Sequence, residues 1–283
     1  VSSKLCKEDF YFFMFRLTCW LVATALILVI LYVVVKGAKV VSWRFITSPW
    51  HHRDITQGGI YQAIVGSLLL GLLVVVFSIP IGIGCAIYLS EYGGDRWTTR
   101  MVRAAIRNLA GVPSVVYGLF GLAVFVIFMR LGTSLLASSL TLACMTLPWV
   151  VTASEEALRS VPESFREASL ALGATRWQMI RTNVLPYAFP GMVTGSIIGV
   201  ARAMGETAPL IFTGAVFYMS YVPTSPLDKF MSLPYHLFIL ATQHASPHAQ
   251  LYAAGTATIL IAIVFGMILV ATILRYRYRR REW

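Results

Sequence analysis

Charge is scarce in this chain. Of its 283 residues only 12% are Asp, Glu, Lys or Arg, and the carboxylates number 12, where a soluble domain carries roughly 25% charged residues. Other absences exclude whole classes of chemistry. No G-x-x-x-x-G-K-[ST] occurs and no lysine directly follows a glycine, so the backbone cradle with which an ATPase holds phosphates is missing. Neither G-x-S-x-G nor H-E-x-x-H is present, which removes the nucleophile elbow and the helical zinc pair. The four cysteines, Cys6, Cys19, Cys85 and Cys144, show neither disulfide nor metal spacing and read as thiols packed in or beside apolar segments. His244 and His248 are four apart, but Pro247 intervenes and no carboxylate or thiol is near. With His51 and His52 they read as polar loop residues. No catalytic residue and no metal site is expected.

What is present is apolar length. The chain is 58% hydrophobic, and runs long enough to span a bilayer as helices recur at about 16–36, 60–90, 112–130, 134–154, 187–217 and 251–275. The first is too long for a signal-peptide core and has no small-residue cleavage site after it, so it is read as a membrane helix. The expected fold class is therefore all-α: a polytopic membrane protein of about six transmembrane helices. Residues 1–57 supply the first helix and an external loop. Residues 58–283 form the main transmembrane domain, with a cytoplasmic loop over 155–186 and an external loop over 218–250.

The net charge of +11 is a topology signal. Assigning loops to alternate sides, with the N-terminus inside, gives 16 basic residues inside and six outside, with Arg202 in the membrane. This asymmetry places both termini in the cytoplasm. It argues for a chain with membrane lipid around it and against a nucleic-acid partner.

The loop "SVPESFREASLALGATRWQMIRTNVLP" carries two helix-start signals. Ser160 and Glu163 have capping-box spacing with Pro162 in the first turn, and Thr175 and Gln178 repeat that spacing. Phe165, Ala168 or Ser169, and Leu172 give one apolar face, Gly173 suits the left-handed residue that ends a helix, and Pro186 marks the next boundary. Two short helices outside the bilayer are expected. Such a helix either rests on lipid headgroups or inserts into a partner's groove.

"EASLALG", followed after nine residues by "NVLP", resembles the EAA loop of ABC importer permeases, E-A-A-x3-G-x9-I-x-L-P. Glu167, Ala168, Gly173, Leu185 and Pro186 match; Ser169 and Asn183 depart from it. "GGIYQAIVGSLLL", "IPIGIGCAIYLSEY", "LAGVPSVVYGLFGLAVFV" and "ARAMGETAPLIFTGA" resemble phosphate ABC transporter permeases of the PstA type, over roughly residues 58 to 214. The resemblance implies a type I importer (MetI-like) architecture and a loop of Glu167, Ala168, Ser169, Gly173, Leu185 and Pro186 that docks into an ATPase. It also implies the partners: a second, PstC-like permease, a PstB-like ATPase dimer in the cytoplasm and an extracytoplasmic PstS-like phosphate-binding protein. No cofactor is expected on this chain, with ATP and magnesium held by the partner subunits.

In the fifth apolar run, Gly191, Gly195, Gly199 and Ala203 form a small-residue stripe at intervals of four, which allows close helix approach in lipid. If the helix continues, Arg202 and Glu206 lie on the stripe's side, about 60° and 20° from Gly199 at about 100° per residue. Arg202 lies ~18–20 Å deep at a rise of about 1.5 Å per residue. Gly205 loosens that helix, and Pro209 frees the Gly205 carbonyl, which calls for a polar cavity. Two readings stand side by side. Arg202 and Glu206 form an i,i+4 pair that neutralises itself, or Arg202 offers its guanidinium fork to a passing oxyanion, with Glu206 keeping that grip temporary. The expected substrate path takes in Arg202, Glu206, Thr207 and Ser114, although capping of the third span is the plainer role for Ser114. Within the resemblance the substrate is phosphate. From the residues alone another oxyanion such as sulfate, an ion-gradient-driven transporter and a phosphate-sensing scaffold also stand.

Overall fold

A computed structural model describes residues 2–51, 55–243 and 246–279. Of the residues weighed above, His52, Arg53, His244, Arg280 and Arg281 lie outside the described residues. Cys19, Cys85 and Cys144 carry free thiols. Among the described residues the chain is helical, with a single isolated bridge between Ala215 and Phe230.

Among the described residues five helices are long and apolar enough to cross a membrane: α1 (Ser2–Ala38), α3 (Tyr61–Ile87), which follows the short α2 (Trp43–Thr47), α6 (Leu135–Arg159), α9 (Leu185–Ala203, prolonged back to Arg176) and α12 (Ala249–Arg279). A bent helix pair stands where a sixth crossing is expected. The third run is not one straight span over 112–130; α5 (Ser114–Gly121, prolonged to Phe128) is short and joins α4 (Trp97–Ala110) through a bend of 103°. The sequence between them, "GVP", explains the corner: proline fixes its own φ and disfavours helix at the residue before it. The Tyr117 hydroxyl then ties the corner shut by donating to the Leu109 carbonyl, 3.0 Å away.

At the centre stands α6, packed on α3 and α9. Its buried Thr141 and Thr146 hydroxyls donate to their own helix's carbonyls at Ala137 and Leu142, which settles their polarity without a partner helix. The glycine stripe of α9 faces it. A Cβ on Gly195 would lie 2.3 Å from the Ala153 Cβ, and one on Gly191 2.9 Å from that of Ala157. Packing in lipid rests on such close approach, because apolar burial gives helices no preference for one another over lipid.

The membrane span of α1 is unburied, and its C-terminal end, around Gly37, packs against α12. The segment over 218–250, expected as a loop, contains a helix and packs into the protein. Phe230, Met231, Leu233 and Leu240 are buried, and α11 (Leu233–Thr242) tucks between α3 and α12, anchored where the Leu233 N–H donates to Ser67 Oγ at 2.8 Å.

The fifth run also departs from expectation. It is not a helix over 187–217: α9 ends at Ala203, residues 204–207 unwind, and the short α10 (Ala208–Thr213) follows. Gly205 and Pro209, expected to loosen the helix, stop it instead. The Gly205 and Glu206 amides turn back to the Arg202 and Ala203 carbonyls at 3.0 and 3.1 Å, and Pro209 enters the first turn of α10, where its missing N–H costs nothing.

Candidate functional site

Arg202 occupies the last turn of α9, and its guanidinium carbon lies 4.6 Å from the ring centroid of Trp149 on α6. This is cation–π geometry, which holds the charge against an apolar face while leaving N–H donors free. The two residues border a cavity of about 280 Å3 whose other walls are the α4–α5 corner from Leu109 to Ser114, Tyr117, Met145 and Glu206. The start of α5 opens into it, placing the positive end of a helix dipole beside the guanidinium.

Arg202 and Glu206 line one cavity but form no ion pair. The ion pairs among the described residues are Arg100–Asp95, Arg103–Glu155, Arg159–Glu155 and Arg166–Glu91. The i,i+4 pair expected from helical phase fails because the helix stops between the two residues and Glu206 sits on the unwound connector. Self-neutralisation is thereby removed as the account of these charges. Ser114 is brought to the cavity, and it does not cap α5: that place is Pro113's, with no side-chain bond. Thr207 stands at the cap of α10 and is not brought to the cavity wall.

At the far end of α6 lies the loop with the E-A-A-like pattern. Here α7 (Glu163–Ala171) is capped by Pro162 without a side-chain bond, so the Ser160–Glu163 box is not formed. Ser160 instead ends α6, its hydroxyl donating to the Ala157 carbonyl at 2.8 Å. The Thr175–Gln178 box is present in both directions, at 2.8 and 3.3 Å. Between the two helices Gly173 takes φ +82°, the left-handed value that favours glycine. Nor is the second helix separate. α8 (Arg176–Met179) runs through a widened turn at Ile180–Val184 directly into α9, with Pro186 in that helix's first turn rather than at a boundary.

The expected apolar face of α7 is divided. Ser169 turns inward, where its hydroxyl donates to the Phe165 carbonyl at 2.8 Å and accepts from the Asn183 amide, whereas Leu172 is 90% exposed. Glu167 and Ala168 face outward as well.

Three groups escaped the sequence. Trp149 looked like one more apolar residue of its span. Arg166 makes two bonds to Glu91, at 2.9 and 3.2 Å, and two more to the Val161 and Leu158 carbonyls at the end of α6. The hydrogen bond to Glu91 pushes the Arg166 guanidinium above its ordinary pKa, although burial opposes the shift. Glu155 accepts from both Arg103 and Arg159, at 2.7 and 2.8 Å. Apart from Glu155–Arg159, the side-chain ion pairs among them join residues 52 or more apart in the chain, and no local spacing announces them.

Comparison with known proteins follows the same lines. Residues 78–282 match the family described as binding-protein-dependent transport system inner membrane component. The chain is 32% identical over 267 residues to a probable ABC transporter permease protein, YqgI, of Bacillus subtilis, covering 90% of each. It is 37% identical over 231 residues to the phosphate transport system permease protein PstA 1 of Mycobacterium tuberculosis, covering 80% of this chain and 73% of that one. It is 31% identical over 270 residues to a probable phosphate transport system permease protein PstA of Methanocaldococcus jannaschii, covering 94% and 92%. In fold it is similar to an inward-facing structure of the MetNI methionine ABC transporter, with a TM-score of 0.60 at 18% identity, covering 78% of this chain and 94% of that one. It is similar too to a bacterial alginate ABC transporter, with a TM-score of 0.60 at 16% identity over 91% and 94%.

Proposed function

The chain belongs to the family of binding-protein-dependent transport system inner membrane components, and on that premise we propose that it is the permease subunit of an ATP-driven importer that carries inorganic phosphate across the cytoplasmic membrane. The observation that carries the reading is the unpaired Arg202 fork, held on Trp149 at the wall of a cavity where the α9 helix unwinds. A planar guanidinium can grip two phosphate oxygens at once. Relatives named as phosphate permeases, at 31–37% identity, support the choice of phosphate.

The surrounding assembly follows from the same premise. A partner ATPase binds and hydrolyses ATP with magnesium and docks on the outward-facing Glu167, Ala168 and Leu172. A second permease completes the path, and a phosphate-binding protein delivers the anion from outside. Both termini are cytoplasmic, a placement supported by the 16-to-6 split of basic residues between the two sides. On this reading Arg202 receives the anion, and Glu206, unpaired across the same cavity, weakens the hold so that the anion moves on.

The test is ATP-dependent phosphate uptake into vesicles holding the purified complex. Arg202→Ala assembles normally and loses uptake at least tenfold. Normal uptake by an assembled Arg202→Ala complex overturns the reading, and complete competition by sulfate at equal concentration reassigns it to oxyanions in general.

A further inference from the structure

The Arg202 cavity has a neighbour. A second cavity of about 180 Å3 lies between α4 and α6, lined by Arg103, Arg107, Thr152, Glu155, Glu156 and Arg159. The two cavities share both walls. On α6, Met145 and Trp149 border the first, and Thr152 and Glu156 the second. These four recur at intervals of four, three and four, so a single helix face serves both. From Trp149 to Glu156 is ~10 Å along the axis, at about 1.5 Å per residue. On α4, Arg107 borders the second cavity, and Leu109 and Ala110 the first.

The second cavity repeats the charge arrangement of the first. Three guanidinium groups face two carboxylates. Glu155 is engaged by Arg103 and Arg159, and Arg103 also donates to the Leu89 carbonyl at 2.6 Å. Among the described residues neither Arg107 nor Glu156 has a side-chain hydrogen bond or ion pair, although both line this space. An unpaired arginine and an unpaired glutamate lining one cavity is also the arrangement of Arg202 and Glu206. Passage through a membrane is fastest over several sites, each strong enough to accept an ion and weak enough to release it.

We propose that the α4–α6 cavity is a second binding station for the transported oxyanion, with Arg107 as its ligand and Glu156 limiting its stay. Arg103 and Arg159, fixed by Glu155, give the rim its positive field. The proposal rests on the phosphate-path reading above and adds to it a site at the other end of the same α6 face. The ligand chemistry, a phosphate oxygen on a guanidinium, is shared by free phosphate and by lipid headgroups; we assign the site to free phosphate.

Two measurements on the assembled complex test this. In vesicles, Arg107→Ala lowers the maximal rate of ATP-dependent phosphate uptake at least fivefold without moving the half-saturating phosphate concentration, and Arg107→Lys, which keeps a point charge, restores at least half the rate. Wild-type rates in Arg107→Ala, with Arg202→Ala inactive, overturn the second station and leave the first cavity's role intact. Wild-type rates in both variants overturn the phosphate path itself. The second measurement uses the wild-type complex in zwitterionic lipid and decides the matter should the variants not assemble. Inorganic phosphate shields Arg107 from phenylglyoxal, read by peptide mass spectrometry, and chloride at equal ionic strength does not. Absence of shielding by phosphate overturns the proposal. Shielding by anionic lipid alone does so too, and gives the site to a headgroup.

Discussion

The Asn183 amide donates to the Ser169 hydroxyl, and these are the two residues at which the chain departs from the E-A-A-x3-G-x9-I-x-L-P pattern. The departures are bonded to each other across the junction of α7 and the root of α9. Where the pattern has apolar residues, alanine and isoleucine, this chain has a hydrogen-bonded polar pair. A buried amide stripped of its partner costs about 1–3 kcal/mol, whereas replacing both partners by apolar groups is close to neutral. Ser169→Ala is therefore expected to lower the melting temperature of the purified complex, and Ser169→Ala with Asn183→Ile to restore most of the loss. Additive losses in the double variant would show that the bond carries no stability.

Arg166 and Glu91 form the more heavily buried clamp, with side chains 13% and 5% exposed. Breaking one side of a buried pair costs roughly 3–5 kcal/mol, but exchanging both members for apolar residues of similar volume is often neutral. Glu91→Leu and Arg166→Met are each expected to make residues 160–175 sensitive to limited proteolysis. The double variant should be more resistant than either single one.

Asp228 gives a pH dependence. The Ser225 and Thr224 amides donate to its carboxylate at 2.9 and 3.0 Å and hold its pKa below the ordinary aspartate value. A depressed carboxyl adds stability above the unfolded pKa, and that stability is lost as pH falls through the folded value. The same loop supplies the Asp228 and Pro226 carbonyls that accept from the first amides of α6, Leu135 and Leu136, at 2.8 Å each. Hydrogen exchange at Leu135 and Leu136 is expected to quicken, beyond its intrinsic pH trend, as pH drops below the ordinary aspartate range. Asp228→Asn should remove that extra step.

Glu206 borders the Arg202 cavity without pairing to it. If its charge shortens the anion's stay, Glu206→Gln lowers the maximal uptake rate and the half-saturating phosphate concentration together. A fall in rate with a raised half-saturating concentration would assign Glu206 to binding instead.

How far these features could be read in advance depended on the distance over which they are determined. The Thr175–Gln178 box involves residues three apart on one turn and appears as expected. The Ser160–Glu163 box has identical spacing and does not form, because the end of α6 had already taken Ser160; that competition is set by where the preceding helix stops. The glycine stripe was legible because small residues at intervals of four leave little else to do in lipid. The Arg202–Glu206 phase was not, because Gly205 and Pro209 end the helix rather than bend it. Glu91 and Arg166, 75 residues apart, meet only after α3, α6 and α7 have packed.

The unbroken run from Arg176 to Ala203 has a mechanical consequence. It makes the E-A-A-like loop and the Arg202 cavity the two ends of one rod, ~39 Å from Arg176 to Arg202 at about 1.5 Å per residue. Tilting such a rod by about 5° at its loop end sweeps Arg202 through roughly 3 Å, as much as a hydrogen bond is long. A nudge at one end is thus enough to move the guanidinium by the length of the contact that the proposed phosphate path requires of it.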